Sequence, residues 1–239
     1  MRRSDGRKPD ELRKVTIERG YTAAAPGSVL IKAGQTHVLC TACVEEDVPP
    51  WREKSGLGWL TAEYDMLPAS TGSRRPRNRG GKIDGRVQEI QRLIGRCLRS
   101  IIDMKKLGHR TIWIDCDVLQ ADGGTRTASI TAAYIALVDA VTWLRKKKRL
   151  RVNPLIDSIA AVSVGIVKGR PLLDLNYVED VAAEVDFNVV QTGAGHFVEV
   201  QGTGEESTFT RADMDHMLAL ADRGIHRLKA MQEKILGRN

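Results

Sequence analysis

Residues 111–137 read TIWIDCDVLQADGGTRTASITAAYIAL, and a change of rhythm inside this stretch decides the fold. Ile112, Ile114, Cys116 and Val118 alternate with polar or amphipathic partners, the two-residue period of a strand. From about residue 126 onward, Ile130, Ala133, Tyr134, Leu137, Val138, Val141 and Leu144 recur at steps of three and four, the stripe of an amphipathic helix that runs out into the basic tail RKKKR. Asp122-Gly123-Gly124-Thr125 is therefore the turn between strand and helix, and Arg126 falls in the helix's first turn. A cation there opposes the positive end of the helix dipole by about 0.3 to 1 kcal/mol at an exposed site. The placement becomes favourable if an anion binds at the same spot. Open backbone N–H groups, two glycines that permit close approach and a guanidinium fork would then converge on it.

Working outward, the segments before this stretch are strand-like: KVTIERG, GSVLIKAG, QTHVLCTACVEE and GLGWLTAEYDML, separated by turns rich in glycine, proline or charge. VQEIQRLIGRCLRSIIDM follows as a helix, with Ile90, Leu93, Ile94, Cys97, Leu98, Ile101 and Ile102 on its buried face. Beyond residue 137 the pattern returns to strands. SIAAVSVGIVKG, RPLLDLNYV, AAEVDFNVVQT and GHFVEVQGT read as a meander, and a last helix opens with Thr210 and Asp213 in capping-box spacing and turns Met214, Met217, Leu218, Leu220, Ala221 and Ile225 inward. The order of strands, helices, strands and helix, with no linker between, implies one α+β domain over residues 1–239, with mixed or antiparallel sheets packed against long helices. The repeated style suggests duplicated strand-helix units, although no residue-level repeat marks them.

With 239 residues, 42% of them hydrophobic, the chain can bury roughly 70% of its unfolded surface and fold unaided. No run approaches the roughly 18 apolar residues of a membrane span, and MRRSDGRKPDELRK lacks the apolar core of a signal peptide, so the expectation is a cytoplasmic protein with no membrane contact. Cys40, Cys43, Cys97 and Cys116 form no disulfide framework. The odd spacing of Cys40 and Cys43 on one strand sends their thiols to opposite faces, which speaks for buried structural cysteines over zinc.

The net charge of +7 favours an anionic partner. Much of it lies in RRPRNRGGKIDGR, residues 74–86, where Arg74, Arg75, Arg77, Arg79, Lys82 and Arg86 sit among prolines and glycines that prevent a regular element. Such a loop suits a phosphodiester backbone, and equally a solvated surface. Arg86, after Asp84-Gly85, is a second arginine at a helix start. A third group is acidic: Glu179, Asp180, Glu184 and Asp186, with Glu179 and Asp180 expected to end one strand and Asp186 to begin the next, so that a hairpin gathers their carboxylates. Taken alone this is an acidic turn facing water. Beside a phosphate-binding turn, it offers the hard oxygen ligands that magnesium requires.

His37, His109, His196, His216 and His226 show no ligand spacing, and neither a Gly-x-Ser-x-Gly elbow nor a Gly-Lys-Ser/Thr phosphate loop is present. Nothing supports a protein nucleophile. A bound phosphate that is itself the nucleophile would need only positioning and charge neutralisation.

SDGRKPDELRKVTIERGY, GSVLIKAGQTHVLCTACVEE, GWLTAEYDMLP, DGRVQEIQRLIGRCLRS, IDCDVLQADGGTRTASITAAYIAL, AAVSVGIV, LLDLNYVEDVAAEVDFNVV and VEVQGTGEE together, and in this order, resemble the ribonuclease PH family of phosphorolytic exoribonucleases. The resemblance runs nearly end to end. It implies a ribonuclease-PH-like domain and a phosphate-dependent 3′-to-5′ exoribonuclease that trims transfer RNA precursors, with ribosomal RNA processing beside it, and releases nucleoside diphosphates in a reversible nucleotidyl transfer. The phosphate site then falls on Arg86, Gly124, Thr125 and Arg126, and the catalytic or metal-holding carboxylates on Asp180 and Asp186, with Arg126 also catalytic. Arg74, Arg75, Arg77 and Arg79 match the family's RNA-binding arginines in kind. Inorganic phosphate as co-substrate, Mg2+ as cofactor, transfer RNA 3′ ends as partner and a homohexamer built as a trimer of dimers complete the expectation. Val181 and Phe187 depart from it, since a small polar residue and a methionine are expected there. Two rivals remain at this level: a metal-dependent hydrolytic ribonuclease, and a silent RNA-binding ring subunit that should lack either the phosphate turn or the aspartates.

Overall fold

The protein, seen in a computed structural model, is described over residues 3–77, 84–205 and 207–237; Arg79 and Lys82 of the basic loop lie outside them. The first sheet contains β1 (Val15–Arg19), β2 (Gly27–Ala33), β3 (Thr36–Glu45), β4 (Trp59–Met66) and β5 (Thr111–Gln120) in the order β1-β2-β3-β5-β4. Strands β1, β2 and β3 form an antiparallel ribbon, whereas β5 inserts antiparallel to β3 and parallel to β4. A parallel pair requires a long crossover. Helices α1 (Gly85–Arg99) and α2 (Met104–Leu107) lie in that connection.

The second sheet, of β6 (Ile159–Val167), β7 (Arg170–Leu173), β8 (Val185–Thr192) and β9 (Phe197–Gly204), is antiparallel in the order β7-β6-β8-β9. It departs from the expected chain-order meander because β8 pairs with β6 and leaves the four-residue β7 at an edge.

Helix α3 (Thr125–Lys146) lies between the sheets. Its expected amphipathic stripe is incomplete as a description, because Ala132, Ile135, Ala136 and Ala140 on its other faces are also fully buried. β2 and β3 pack on one side of it and Ile159 and Ala161 of β6 on the other, so one apolar core runs through both sheets. By length and composition α3 would pass for a membrane span, contrary to the sequence expectation, with a mean hydropathy of 1.4 over 18 residues. Its burial within the chain accounts for that composition. The alternate residues of β6, Ala160, Val162 and Val164, point the other way and meet Met217, Ala221 and Ile225 of α5 (Arg211–Leu236).

Local chemistry sets the helix ends. Asp84 accepts a hydrogen bond from the Arg86 N–H at the start of α1, and Thr210 with Asp213 forms the expected capping box of α5. Gly27 starts β2 where it crosses α3, so close that a Cβ there would overlap the Ala136 carbonyl. The odd spacing of the cysteine pair parts the thiols as expected, but only one is buried: Cys40 lies against Cys116 on β5, whereas Cys43 is on the opposite face and half-buried.

The largest correction concerns the acidic segment. Glu179 and Asp180 do not end a strand; they lie on a short helix, α4 (Tyr177–Val181), closed by a capping box in which the Asn176 side chain accepts from the Glu179 N–H and Glu179 accepts from the Asn176 N–H. The hydrophobic pattern LLDLNYV reads as extended, but an Asn with Glu three residues on is a helix start, and that local hydrogen bonding wins.

Candidate active site

Both arginine-bearing helix starts open into one cleft of about 660 Å3, which Arg86, Gly124, Thr125, Arg126, Asp180 and Asp186 line. Another cleft of about 670 Å3, between the 153–158 segment and the end of the last helix, is as large but has no such convergence of charge, so chemistry and not size marks the site.

The floor is the turn between β5 and α3. Gly123 and Gly124 adopt φ of 73° and 64°, a conformation that glycine takes without steric cost. Space demands glycine as well: a Cβ on Gly123 would stand 2.7 Å from the Leu175 carbonyl oxygen. Gly124 is the N-cap of α3 and supplies no side-chain cap, so the first N–H groups of a long helix are left for an anion. Thr125 is prepared in the same sense. The buried Tyr64 hydroxyl donates to its Oγ1 at 2.9 Å, which leaves the threonine's own proton for a ligand.

Arg126 forms a wall of the cleft, its side chain 14% exposed, and Nη1 donates to Glu89 Oε1 at 3.0 Å and to Gln201 Oε1 at 2.5 Å. Arg86 is exposed at the mouth and pairs with no carboxylate among the described residues. Of the basic loop, Arg74 and Arg77 are exposed. Arg75 instead lines the cleft and turns inward, donating to Asp84 Oδ2 at 3.0 Å, the residue that caps α1. Arg79 lies outside the described residues.

The carboxylates divide. Asp180 on α4 and Asp186 on β8 line the cleft, as expected. Glu179 does not: it is buried beneath α4 and held by Arg3 through two hydrogen bonds of 2.7 and 2.6 Å. Glu184 accepts from the Gly169 N–H at the β6–β7 turn. Burial raises the pKa of Asp180, and the Arg86 and Arg126 charges pull against that rise. Asp186 is pushed up to about 6, first by burial and then by the charge of Asp180. Its Oδ1 is buried without a hydrogen-bond partner, while Oδ2 accepts from the Asn188 amide at 3.4 Å. Two mutually repelling carboxylates, one with an orphaned oxygen, fit a hard divalent cation. An exposed Asp47, Glu53 and His109 grouping is also compact enough for a cation, but nothing else there points to a ligand.

Sequence reasoning missed the supports. Tyr64, Glu89, Asn188 and Gln201 carry no motif of their own, and only Tyr64, an aromatic with a polar tip on a buried strand face, gave a readable signal. Val181 is exposed on the outside of α4, and Phe187 packs edge-on against Phe209, so neither departure from the family pattern meets the cleft.

Two family models match the chain, the 3′ exoribonuclease family domain 1 over residues 11–142 and its domain 2 over residues 157–224. Ribonuclease PH of Bacillus subtilis (strain 168) is 56% identical over 237 residues, covering 98% of this chain and 97% of the relative. Among solved structures, the Archaeoglobus fulgidus exosome with RNA bound to the active site superposes with a TM-score of 0.82 at 23% identity, covering 96% of this chain and 92% of that one. Rice (Oryza sativa) Rrp46 superposes with a TM-score of 0.79 at 20% identity, covering 98% and 100%. At those identities the two structures speak for the fold alone.

Proposed function

The chain belongs to the 3′ exoribonuclease family, and from that premise we propose that it is a phosphate-dependent 3′-to-5′ exoribonuclease that trims the 3′ ends of transfer RNA precursors and releases nucleoside diphosphates. The observation that carries the residue assignment is the shared cleft: the uncapped start of α3, the two arginines and the two aspartates all line it.

Inorganic phosphate takes the place prepared by the Gly124, Thr125 and Arg126 N–H groups, with the Arg126 and Arg86 guanidiniums neutralising it. The Glu89 carboxylate now on Arg126 gives way to it. No side chain acts as nucleophile. A phosphate oxygen attacks the terminal phosphodiester, the 3′ oxygen leaves, and the phosphate ends up as the β-phosphate of the diphosphate. The protein contributes alignment and charge already in place. Asp180 and Asp186 are the residues that would hold Mg2+. When bound, such an ion supplies positive charge against the reacting phosphoryl group and the leaving oxygen. Because the phosphodiester is exchanged for a phosphoanhydride, the reaction runs backward when phosphate is scarce, adding nucleotides from diphosphates. Exposed Arg74 and Arg77 contact the RNA backbone at the mouth. The reading includes a homohexamer, a trimer of dimers, working in the cytoplasm, on the strength of family resemblance.

The test is incubation with a 3′-extended transfer RNA, with and without inorganic phosphate, and identification of the mononucleotide released. Diphosphates that appear only with phosphate, and that Arg126→Ala and Asp180→Ala abolish, are the expected result. Monophosphates without phosphate would point to hydrolysis, and no release at all to a silent RNA-binding subunit.

A further inference from the structure

The N-terminal segment takes no part in the chemistry above, yet it holds Arg3, Arg7 and Arg13 with side chains 3%, 10% and 5% exposed. A buried cation is tolerated only when paired and hydrogen-bonded. The partners here are the supports of the catalytic cleft.

Arg13 grips Asp174 in a fork, Nε to Oδ2 at 3.1 Å and Nη2 to Oδ1 at 2.7 Å. Its Nη1 also donates to the carbonyl of Asp122 at 2.5 Å and, more weakly, to that of Gly123 at 3.4 Å. Thr36 Oγ1 donates to the same Gly123 carbonyl at 2.7 Å. A trans peptide is planar, so its C=O and the following N–H point in opposite directions. Drawing the Asp122 and Gly123 carbonyls toward Arg13 therefore turns the N–H groups of Gly123 and Gly124 away from it. Arg13 stands behind the turn so closely that a Cβ on Gly124 would lie 2.8 Å from Nη2. Arg3 does the equivalent for α4. It forks onto Glu179 and also donates to the carbonyls of Leu173 and Asp174 at 2.8 and 2.9 Å, fixing the helix one residue from Asp180.

We propose that Arg13 and Arg3 are positioning residues of the reaction centre: Arg13 aims the backbone of the phosphate turn, and Arg3, acting through Glu179, sets Asp180. The assignment rests on the phosphorolytic reading. It differs from a purely structural staple because the two arms serve two different ligands, so their defects separate.

The experiment uses the full-length protein carrying Arg13→Lys, Thr36→Val or Glu179→Gln, with Arg19→Met, which breaks the surface pair to Asp139, as a control for general destabilisation. Lysine keeps the charge for Asp174 but has no fork for the carbonyls. Thr36→Val removes the other donor, together with the hydroxyl oxygen that accepts from the Asp122 N–H at 2.9 Å, and leaves the Arg13–Asp174 ion pair intact. Glutamine at 179 keeps the capping box and loses the charge. Arg13→Lys is expected to raise the KM for inorganic phosphate tenfold or more, and Thr36→Val about threefold, with the KM for RNA within twofold of wild type. Glu179→Gln is expected to leave the phosphate KM within twofold and to weaken Mn2+ binding to the resting protein, read by electron paramagnetic resonance, fivefold or more. Lower kcat in all variants with unchanged phosphate KM and unchanged Mn2+ affinity would overturn the proposal and leave a staple. A wild-type protein that releases monophosphates without phosphate would refute the phosphorolytic reading instead, and the Mn2+ measurement would still decide the role of Arg3 and Glu179.

Discussion

Asp186→Asn should make the fold more stable at neutral pH while it destroys activity. In the folded chain burial and the neighbouring Asp180 charge push Asp186 from 3.8 to about 6. A carboxyl with a raised pKa binds its proton more tightly in the folded state than in the unfolded one. Stability contributed by that proton is present below about pH 4 and lost as the pH rises through about 6. A rise of about two pH units corresponds to about 3 kcal/mol at most, and to about 2 kcal/mol once the part of the carboxyl that faces solvent is discounted. Asparagine keeps the shape and stays neutral, so the variant escapes this loss. The assay is urea unfolding at pH 8, 6 and 4.5, with EDTA and at equal protomer concentration. The variant is expected to gain about 2 kcal/mol over wild type at pH 8, nearly as much at pH 6 and about 1 kcal/mol at pH 4.5, while NDP release falls at least about 100-fold. An offset that is the same at every pH, or a variant less stable at pH 8, would refute the reasoning, because the charge on Asp186 would then not be what strains the cleft.

Gly27→Ala should destabilise the fold by about 3 kcal/mol, the upper end for overpacking, because its Cβ would meet the rigid carbonyl of Ala136 in α3 and not a movable side chain; urea unfolding measures it, and a loss below about 1 kcal/mol would show that β2 can slide away. In thiol labelling of the native protein at pH 8, half-buried Cys43 should react first and the buried Cys40, Cys97 and Cys116 only on unfolding, since burial pushes the Cys97 thiol up to about 12 and Cys40 well above its ordinary value. Fast labelling of two or more thiols in the folded chain would contradict this packing.

The residues proposed to bind phosphate are legible because their meaning is local. A strand period, two glycines and a helix period with an arginine in the first turn fix where Gly124, Thr125 and Arg126 stand relative to one another. Asp84 before Arg86, and Thr210 before Asp213, are equally local caps. The acidic segment was half legible: Asp180 and Asp186 reach the cleft, but an extended-looking pattern hid the capping box that makes α4.

By itself the sequence determined most of the elements, α4 excepted, their polarity and the chemistry that the glycine turn could serve, since hydrogen bonds and side-chain periods within a few residues set those. Only the tertiary structure decided that β5 enters between β3 and β4, that α3 is wrapped by two sheets, and that Arg13 reaches the turn at Asp122 across 109 residues of chain. Such pairings are chosen by what closes a buried surface and leaves no charge unpartnered. That choice is a competition over the whole molecule, which no local spacing records.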